Sequence, residues 1–305
     1  MDKVGVVAVI PAYNEEKTVG GVVEEVRRYV DLVIVVDDGS NDKTGEVAEK
    51  HGARVVRHAR RRGVGAAVAT GYDEALKTGG ELFVQLDADG QHRPEDIPRV
   101  LAPIVRGEAD LVIGSRFLGG KAPDMPLTKR FGNWLFTKLT KLVSGVEISD
   151  SQSGFRAIRR EALETLFLHG VYTYTQEMII RAVKEGWRVK EIPINVVRRY
   201  SGRSKVVTNP FSYAFRAMLI MTRTIRDYNP IAFFGGLGLV SLSAGLLLSA
   251  YILVTVITTG RVGAYPRLIL ASLLVLSGVQ LLFFGLLADM LKGVSREIKS
   301  QVRRA

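Results

Sequence analysis

Between Ile231 and Thr259 the chain carries no Asp, Glu, Lys, Arg or His, and between Leu268 and Leu287 it again carries none. Each run meets the length of about 20 apolar residues that a bilayer-spanning helix requires. Only the connector GRVGAYP separates them, so the pair reads as a membrane hairpin over residues 230–291, with spans near 231–258 and 268–290. A helical pair buried inside a soluble protein is the alternative, and two uncharged runs in succession count against it. Basic residues crowd the outer ends: Arg216, Arg223 and Arg226 before the hairpin, and Lys292, Arg296, Lys299, Arg303 and Arg304 in a tail over 292–305. The connector holds Arg261 and Arg267. By the positive-inside rule both termini, and the large domain at 1–208, are expected in the cytoplasm.

That domain shows short apolar runs alternating with helix-period stretches. Val4–Ile10, Leu32–Val36, Arg54–Arg57, Leu82–Leu86 and Leu111–Gly114 read as strands; Glu15–Tyr29, Thr44–His51 and Gly65–Thr78 read as helices. Near-continuous Val/Ile/Leu runs between helices indicate an α/β fold with a mainly parallel sheet covered on both faces. Such sheets bind ligands at the carboxyl ends of their strands. PAYNEE, DDGSND and DADGQ each follow a strand there. The N-terminal apolar run is short, is followed by Pro11 and acidic residues and shows no small-residue cleavage site, so it does not read as a signal peptide and is expected to open directly into the first strand.

Composition narrows the chemistry. With no cysteine, disulfides and thiolate metal sites are excluded, and the four histidines show no HExxH-type spacing. A net charge of +11 calls for anionic partners: nucleic acid, phospholipid headgroups or a phosphorylated substrate. Asp87, Asp89 and Gln91 place two carboxylates and an amide oxygen at alternate positions past the fourth strand. An all-oxygen set suits Mg2+ or Mn2+. Acidic loops also cap helices, and RPEDI just beyond looks like a helix start. Pro11, Tyr13, Asn14 and Glu15 after the first strand offer an aromatic face and polar groups for a base or ribose. Asp37 and Asp38 offer carboxylates to ribose hydroxyls or a base N–H; ordinary turn chemistry accounts for both stretches equally well. A GxGxxG fingerprint is absent, which disfavours a nicotinamide enzyme, and Gly63 and Gly65 before a helix are a weak phosphate signal.

Two further stretches read as basic amphipathic helices at a membrane surface. PLTKRFGNWLFTKLTKLVSG aligns Phe131, Leu135, Leu139 and Leu142 near Lys129, Arg130, Lys138 and Lys141. The region 209–229 aligns Phe211, Phe215, Met218, Leu219 and Ile225. Packing on a core is the ordinary alternative for either.

In their order, VIPAYNEE, VVDDGSNDKT, LDADGQHRPEDI, GSRF and DSQSGFRAIRR resemble the family 2 glycosyltransferases, and SGRSK with the hairpin narrows this to the polyprenyl-phosphate glycosyltransferases. The resemblance implies a GT-A fold, a nucleotide-sugar donor, a divalent metal (Mn2+ or Mg2+) and a dolichyl or polyprenyl phosphate acceptor. It assigns Pro11, Tyr13, Glu15 and Asp37 to the nucleoside, and Asp87, Asp89 and Gln91 to the metal. Asp87 and Ala88 would lie near the nucleotide, with Asp89 bridging to the diphosphate. Arg116, Arg203 and Lys205 would meet donor phosphates, and Arg116, Arg130, Ser153 and Arg203 the acceptor phosphate. Asp150, Gln152 and Arg156 would line the sugar and acceptor side, Gln152 touching the donor. Asp89, Arg116 and Asp150 are the expected catalytic group. Asp150 is cast as an orienting group and not a base, because a phosphate monoester with second pKa about 6 is already largely dianionic at neutral pH. Isolated basic residues are otherwise solvated surface charges.

The implied reaction is inverting transfer of a monosaccharide, GDP-mannose first and UDP-glucose second, with membrane lipids as neighbours and no nucleic-acid partner. A processive synthase would want more spans and a QxxRW motif, which EGWRV at Trp187 does not match. A nucleotidyltransferase would want a glycine-rich, lysine-bearing loop. A silent membrane adaptor or lipid carrier would have no use for the acidic trio.

Overall fold

The computed structural model describes residues 5–118, 127–166, 174–197, 222–223, 226, 229–260 and 265–304. The chain divides into two compact units, Met1–Ala214 and Phe215–Ala305.

The first unit is built on a seven-stranded sheet in the order β3-β2-β1-β4-β6-β5-β7. Its strands are β1 (Val6–Ala12), β2 (Leu32–Asp37), β3 (Arg54–Arg57), β4 (Leu82–Gln85), β5 (Leu111–Ser115), β6 (Arg156–Arg159) and β7 (Val189–Pro193). All neighbours pair in parallel except β6, which runs antiparallel between β4 and β5. This is the GT-A-like, mainly parallel sheet that was expected.

Helices α1 (Val19–Val26), α2 (Thr44–Lys50) and α4 (Ile97–Val105) cover one face; α3 (Val64–Leu76), α6 (Arg160–Thr165) and α7 (Tyr174–Lys184) cover the other. Strand alternation serves both layers. In β1, Ala8, Ile10 and Ala12 pack with Val19, Val23 and Ile97, while Val7 and Val9 pack with Val68, Tyr72 and Met178. Each buried Val, Ile or Leu contributes about 1.5–3 kcal/mol, and apolar demand on both faces is why these strands read as continuous runs.

The expected strands lie where the apolar runs placed them, with ends shifted by a residue or two; Val4 lies outside the described residues. The helix expected at Glu15–Tyr29 shortens to Val19–Val26, because the backbone at Asn14 and Glu15 is engaged by Ser40 and Thr44 of the next turn. Strands β6 and β7 were not foreseen. RAIR is short and flanked by charge, and VKEIP lies at a sheet edge with charged and apolar residues mixed.

Helix α5 (Leu127–Ser144) is the expected amphipathic helix, with its polarity reversed relative to a core helix. Asn133, Thr137, Thr140 and Ser144 are buried beside Phe136, whereas Phe131, Trp134, Leu135 and Leu142 are exposed. Thr137 accepts from the Ser151 backbone N–H at 3.2 Å and shares a 3.1 Å hydroxyl contact with Ser151. Outside, Phe131 stacks on Trp134 at 5.8 Å and the Lys138 ammonium lies 5.2 Å from the Trp134 ring centre.

The second unit is a helical hairpin, α8 (Pro230–Thr259) and α9 (Tyr265–Arg304). Asn229 caps α8, Pro230 stands at its first turn, and Gly260 ends it in the left-handed conformation at φ 64°. Small residues bring the helices together: a Cβ on Gly278 would meet the Leu242 nitrogen at 2.7 Å and the Gly238 oxygen at 2.9 Å. Ser241 donates to the Leu274 carbonyl at 2.8 Å. Leu239, Leu247, Leu253, Leu276 and Phe283 point outward, the pattern of helices whose solvent is hydrocarbon. Pro230–Thr259 and Tyr265–Leu291 are long and apolar enough to cross a membrane. The basic tail continues α9 as helix to Arg304. The expected surface helix at 209–229 lies outside the described residues save Thr222, Arg223, Arg226 and Asn229.

Candidate active site

The carboxyl ends of β1, β2, β4 and β5, with the segment leading into β6, meet at one edge of the sheet. After β1, Asn14 adopts φ 53°, a left-handed conformation that asparagine tolerates. Its side-chain oxygen accepts from Asn41 N–H at 2.8 Å, and its own N–H donates to Ser40 at 2.9 Å. Glu15 N–H donates to Thr44. Tyr13, Asn14 and Glu15 are therefore held half-buried against the turn after β2. In that turn Asp37 is buried and accepts from Ser40 N–H at 2.9 Å. Asp38 turns inward: it accepts from Arg62 N–H at 2.9 Å and Gly63 N–H at 2.8 Å, and contacts His58 Nδ1 at 2.7 Å. Its role is to pin the arginine-rich loop after β3, whose Arg61 stacks 4.2 Å from the Tyr13 ring centre. Pro11 is buried within β1.

Past β4, Asp87 points at the opposite loop. A Cβ on Gly154 would stand 2.9 Å from both Asp87 carboxylate oxygens, so only glycine leaves this carboxylate its place. Asp87 N–H donates to His92 Nδ1 at 3.3 Å, Asp89 accepts from Gln91 N–H at 3.1 Å, and Ala88, between them in the sequence, is buried. The Gln91 side-chain amide donates to Val197 O at 3.5 Å. His92 lies buried against Phe155, ring centres 5.4 Å apart. Burial pushes its pKa down to about 4, against the pull of Asp89 and with the help of Arg116. It is therefore a neutral acceptor at physiological pH, and adds no cation beside the acidic loop. Among the described residues no three His, Asp or Glu side chains close a complete metal cage. The two carboxylates and the amide oxygen of this loop are an all-oxygen donor set, the chemistry that Mn2+ or Mg2+ takes.

Past β5, Arg116 grips Asp150 at two points, Nε to Oδ2 at 2.7 Å and Nη2 to Oδ1 at 2.8 Å; Arg116 N–H also donates to Oδ2 at 3.1 Å. Burial disfavours the Arg116 cation, but its bonds and charge contact with Asp150, helped by Asp87, raise its pKa. Asp150 is thus occupied with Arg116. Ser153, expected at the acceptor phosphate, has no exposed surface and accepts from Phe155 N–H at 3.3 Å, which puts it under the floor of the cleft. Arg156 is also fully buried, donating to the carbonyls of Ser151, Ser153 and Thr175 at 2.6–3.0 Å. Burial lowers its pKa, and it braces the loop from below. Gln152 is half-buried on that loop, and Arg130 is exposed on α5. Arg203 and Lys205 lie outside the described residues.

Sequence reasoning passed over Glu191, whose carboxylate accepts from Ser149 N–H at 2.7 Å, Ser149 Oγ at 2.9 Å and Asp150 N–H at 2.7 Å. No sequence signal marked it, since its partners are some forty residues away. His92 and Gly154 were present in the quoted motifs but given no part.

Comparison with known proteins accords with this arrangement. Residues 7–167 match the family model described as Glycosyl transferase family 2. UDP-N-acetylglucosamine--dolichyl-phosphate N-acetylglucosaminyltransferase of Methanococcus voltae is 33% identical, over 72% of this chain and 97% of its own. Polyprenol monophosphomannose synthase of Mycolicibacterium smegmatis is 35% identical, over 65% of this chain and 79% of its own. Among solved structures, glucosyl-3-phosphoglycerate synthase of Mycobacterium tuberculosis, in complex with Mn2+, UDP and glucosyl-3-phosphoglycerate, superposes with TM-score 0.56. It is 25% identical and covers 72% of this chain and 80% of that one.

Proposed function

The chain belongs to glycosyl transferase family 2, and from that premise we propose that it transfers a monosaccharide from a nucleoside-diphosphate sugar to a polyprenyl or dolichyl phosphate. The observation that carries the reading is the convergence, at one sheet edge, of the Asp87–Asp89 loop and the Arg116–Asp150 pair, joined where Asp87 abuts Gly154. One side offers carboxylates for a cation, the other a fixed guanidinium for phosphate. An adaptor has no need of both.

In this reading Tyr13, Glu15 and Asp37 form the nucleoside wall. Asp87, Asp89 and Gln91 would hold a divalent cation, which when bound would neutralise charge on the departing diphosphate. Arg116, fixed by Asp150, presents its remaining N–H groups to the reacting phosphates; a guanidinium suits that fork-like contact. Gln152 faces the sugar, and Arg130, Arg203 and Lys205 gather anionic oxygens. The acceptor phosphate, largely dianionic at neutral pH, attacks without surrendering a proton. Asp150 therefore works through Arg116. In-line attack on the anomeric carbon inverts it, and fixed positive groups stabilise charge on both phosphates.

Residues 1–208 form the catalytic domain on the cytoplasmic side, the hairpin anchors it, and the apolar outer face of α5 rests in the membrane interface. Mannose from GDP is the preferred donor; the name of the Methanococcus voltae relative supports a UDP-sugar as the second reading. Purified full chain with Mn2+, a short polyprenyl phosphate and a panel of labelled nucleotide sugars decides between them. Turnover with one donor identifies it; no metal-dependent turnover with any donor favours the adaptor.

A further inference from the structure

Glu191 lies on β7, which pairs with β5 at the edge of the sheet. Its carboxylate takes three donors at once from two successive residues: Ser149 N–H at 2.7 Å, Ser149 Oγ at 2.9 Å and Asp150 N–H at 2.7 Å. The Ser149 hydroxyl also meets Ser115 Oγ at 2.7 Å, at the end of β5 and next to Arg116. Both acidic oxygens are thus used to fix the backbone from which the Asp150 side chain leaves. That side chain, in turn, accepts from Arg116 Nε, Nη2 and N–H.

A guanidinium held at two points inherits the position of the carboxylate that holds it. Asp150 has no exposed surface, and its two oxygens are both engaged by Arg116. Its backbone N–H donates only to Glu191 among the described residues. The strand bearing Glu191 is rigidly registered, with Glu191 opposite Ile113 on β5. Charge order matters as well as position. Along this line an anion (Glu191) holds the peptide N–H of an anion (Asp150), which holds a cation (Arg116). Replacing the first carboxylate by an amide puts an NH2 group where a backbone N–H or a hydroxyl now donates, because a carboxamide has one acceptor oxygen only.

We infer that Glu191 is a positioning residue for the transfer reaction: it sets the Ser149–Asp150 backbone, and through Asp150 aims Arg116 at the reacting phosphates. The inference rests on the reading above that Arg116 acts on those phosphates. A displacement of about 1 Å at a positioned group costs on the order of 100-fold in rate. Loss of the Glu191 carboxylate therefore lowers kcat by that order. The loss falls mainly on kcat, because the Glu191 carboxylate is bonded to the Ser149–Asp150 backbone that sets Arg116.

The test uses full chain and a double-mutant cycle. E191Q lowers kcat about 10- to 100-fold with donor KM within about threefold, and E191A lowers it further. In the R116K background E191Q has little additional effect, because residues in one chain of contacts are non-additive. R188M, which removes the ion pair with Asp110 at the residue just before β7, serves as the stability control and keeps wild-type kcat. Unchanged kcat in E191Q, or an E191Q effect that is fully additive with R116K, overturns the inference. The crystal structure of E191Q supplies an arm that needs no activity: Arg116 or Asp150 displaced supports the link, an unmoved pair overturns it. A wild-type enzyme that transfers no sugar from any donor sinks the proposed function, and leaves the structural arm to judge Glu191.

Discussion

Arg116 and Asp150 face each other edge to edge, with a buried carboxylate and a guanidinium whose side chain is 20% exposed. Removing one partner of such a pair strands the other, at a cost of about 3–5 kcal/mol. D150N keeps the shape but turns an NH2 group toward the guanidinium. It is expected to lower the melting temperature, and to cut kcat about 100-fold while the pH dependence of the residual rate keeps its form. A base-catalysed reaction would instead lose the acidic limb of the pH–rate profile.

Gly154 is the contact between the two halves of the site. A methyl group at 2.9 Å from both Asp87 oxygens must push the carboxylate aside. G154A is expected to raise the Mn2+ concentration for half-maximal turnover by about 10-fold or more, as misplaced metal ligands do. Nucleotide-independent thermal stability falls by less than in D150N. Metal titration of the two proteins checks it.

Away from the site, Asp110 is buried between β5 and β7 and accepts from Arg188 Nε at 3.0 Å, Arg188 N–H at 2.9 Å and Arg159 Nη1 at 3.1 Å. The Arg188 hydrogen bond above all, against the opposing effect of burial, lowers its pKa to about 2 from an ordinary 3.8. A depressed folded-state pKa stabilises the fold above pH 3.8, and the contribution disappears as pH falls from 3.8 toward about 2. The gap in melting temperature between wild type and R188M is therefore expected to be constant from pH 5 to 7, and to close in that acidic window. Full chain in detergent, melted across pH, reads it.

The sheet was legible because its central strands are buried on both faces and therefore apolar throughout, as Val7–Ile10 and Val33–Val36 are. The hairpin was legible because both of its helices are long and apolar. The site was legible in part: strand ends followed by Asp, Asn and Gly declare themselves, and Tyr13, Asp37, Asp87 and Arg116 all lie at the expected edge. What stayed hidden depends on contacts between distant residues. Strands β6 and β7 owe their place to pairing with β4 and β5, and carry no apolar run of their own. Glu191 and Gly154 matter only for what the fold sets beside them. Asp38, next to Asp37 in sequence, faces the opposite way and holds the Arg60–Gly63 loop.

Helix α5 presents Phe131, Trp134 and Leu142 outward, which water disfavours and a bilayer interface accepts. The chain holds two tryptophans. Trp187 donates its indole N–H to Thr165 at 2.7 Å, so W187F leaves Trp134 as the single reporter. In liposomes, brominated lipid is expected to quench Trp134 emission strongly, and F131S/L142S to weaken that quenching. Emission indifferent to bromine would place α5 away from the membrane.

The account turns on metal-supported transfer of sugar to a lipid phosphate. The direct measurement is mass-spectrometric detection of product from full chain in liposomes with nucleotide sugar, polyprenyl phosphate and Mn2+, repeated with EDTA and with D89N. The account predicts a polyprenyl-phosphate monosaccharide of inverted anomeric configuration, abolished by chelator and cut by D89N. Product formed equally in EDTA and by D89N, or no lipid-linked sugar with any donor, would contradict it.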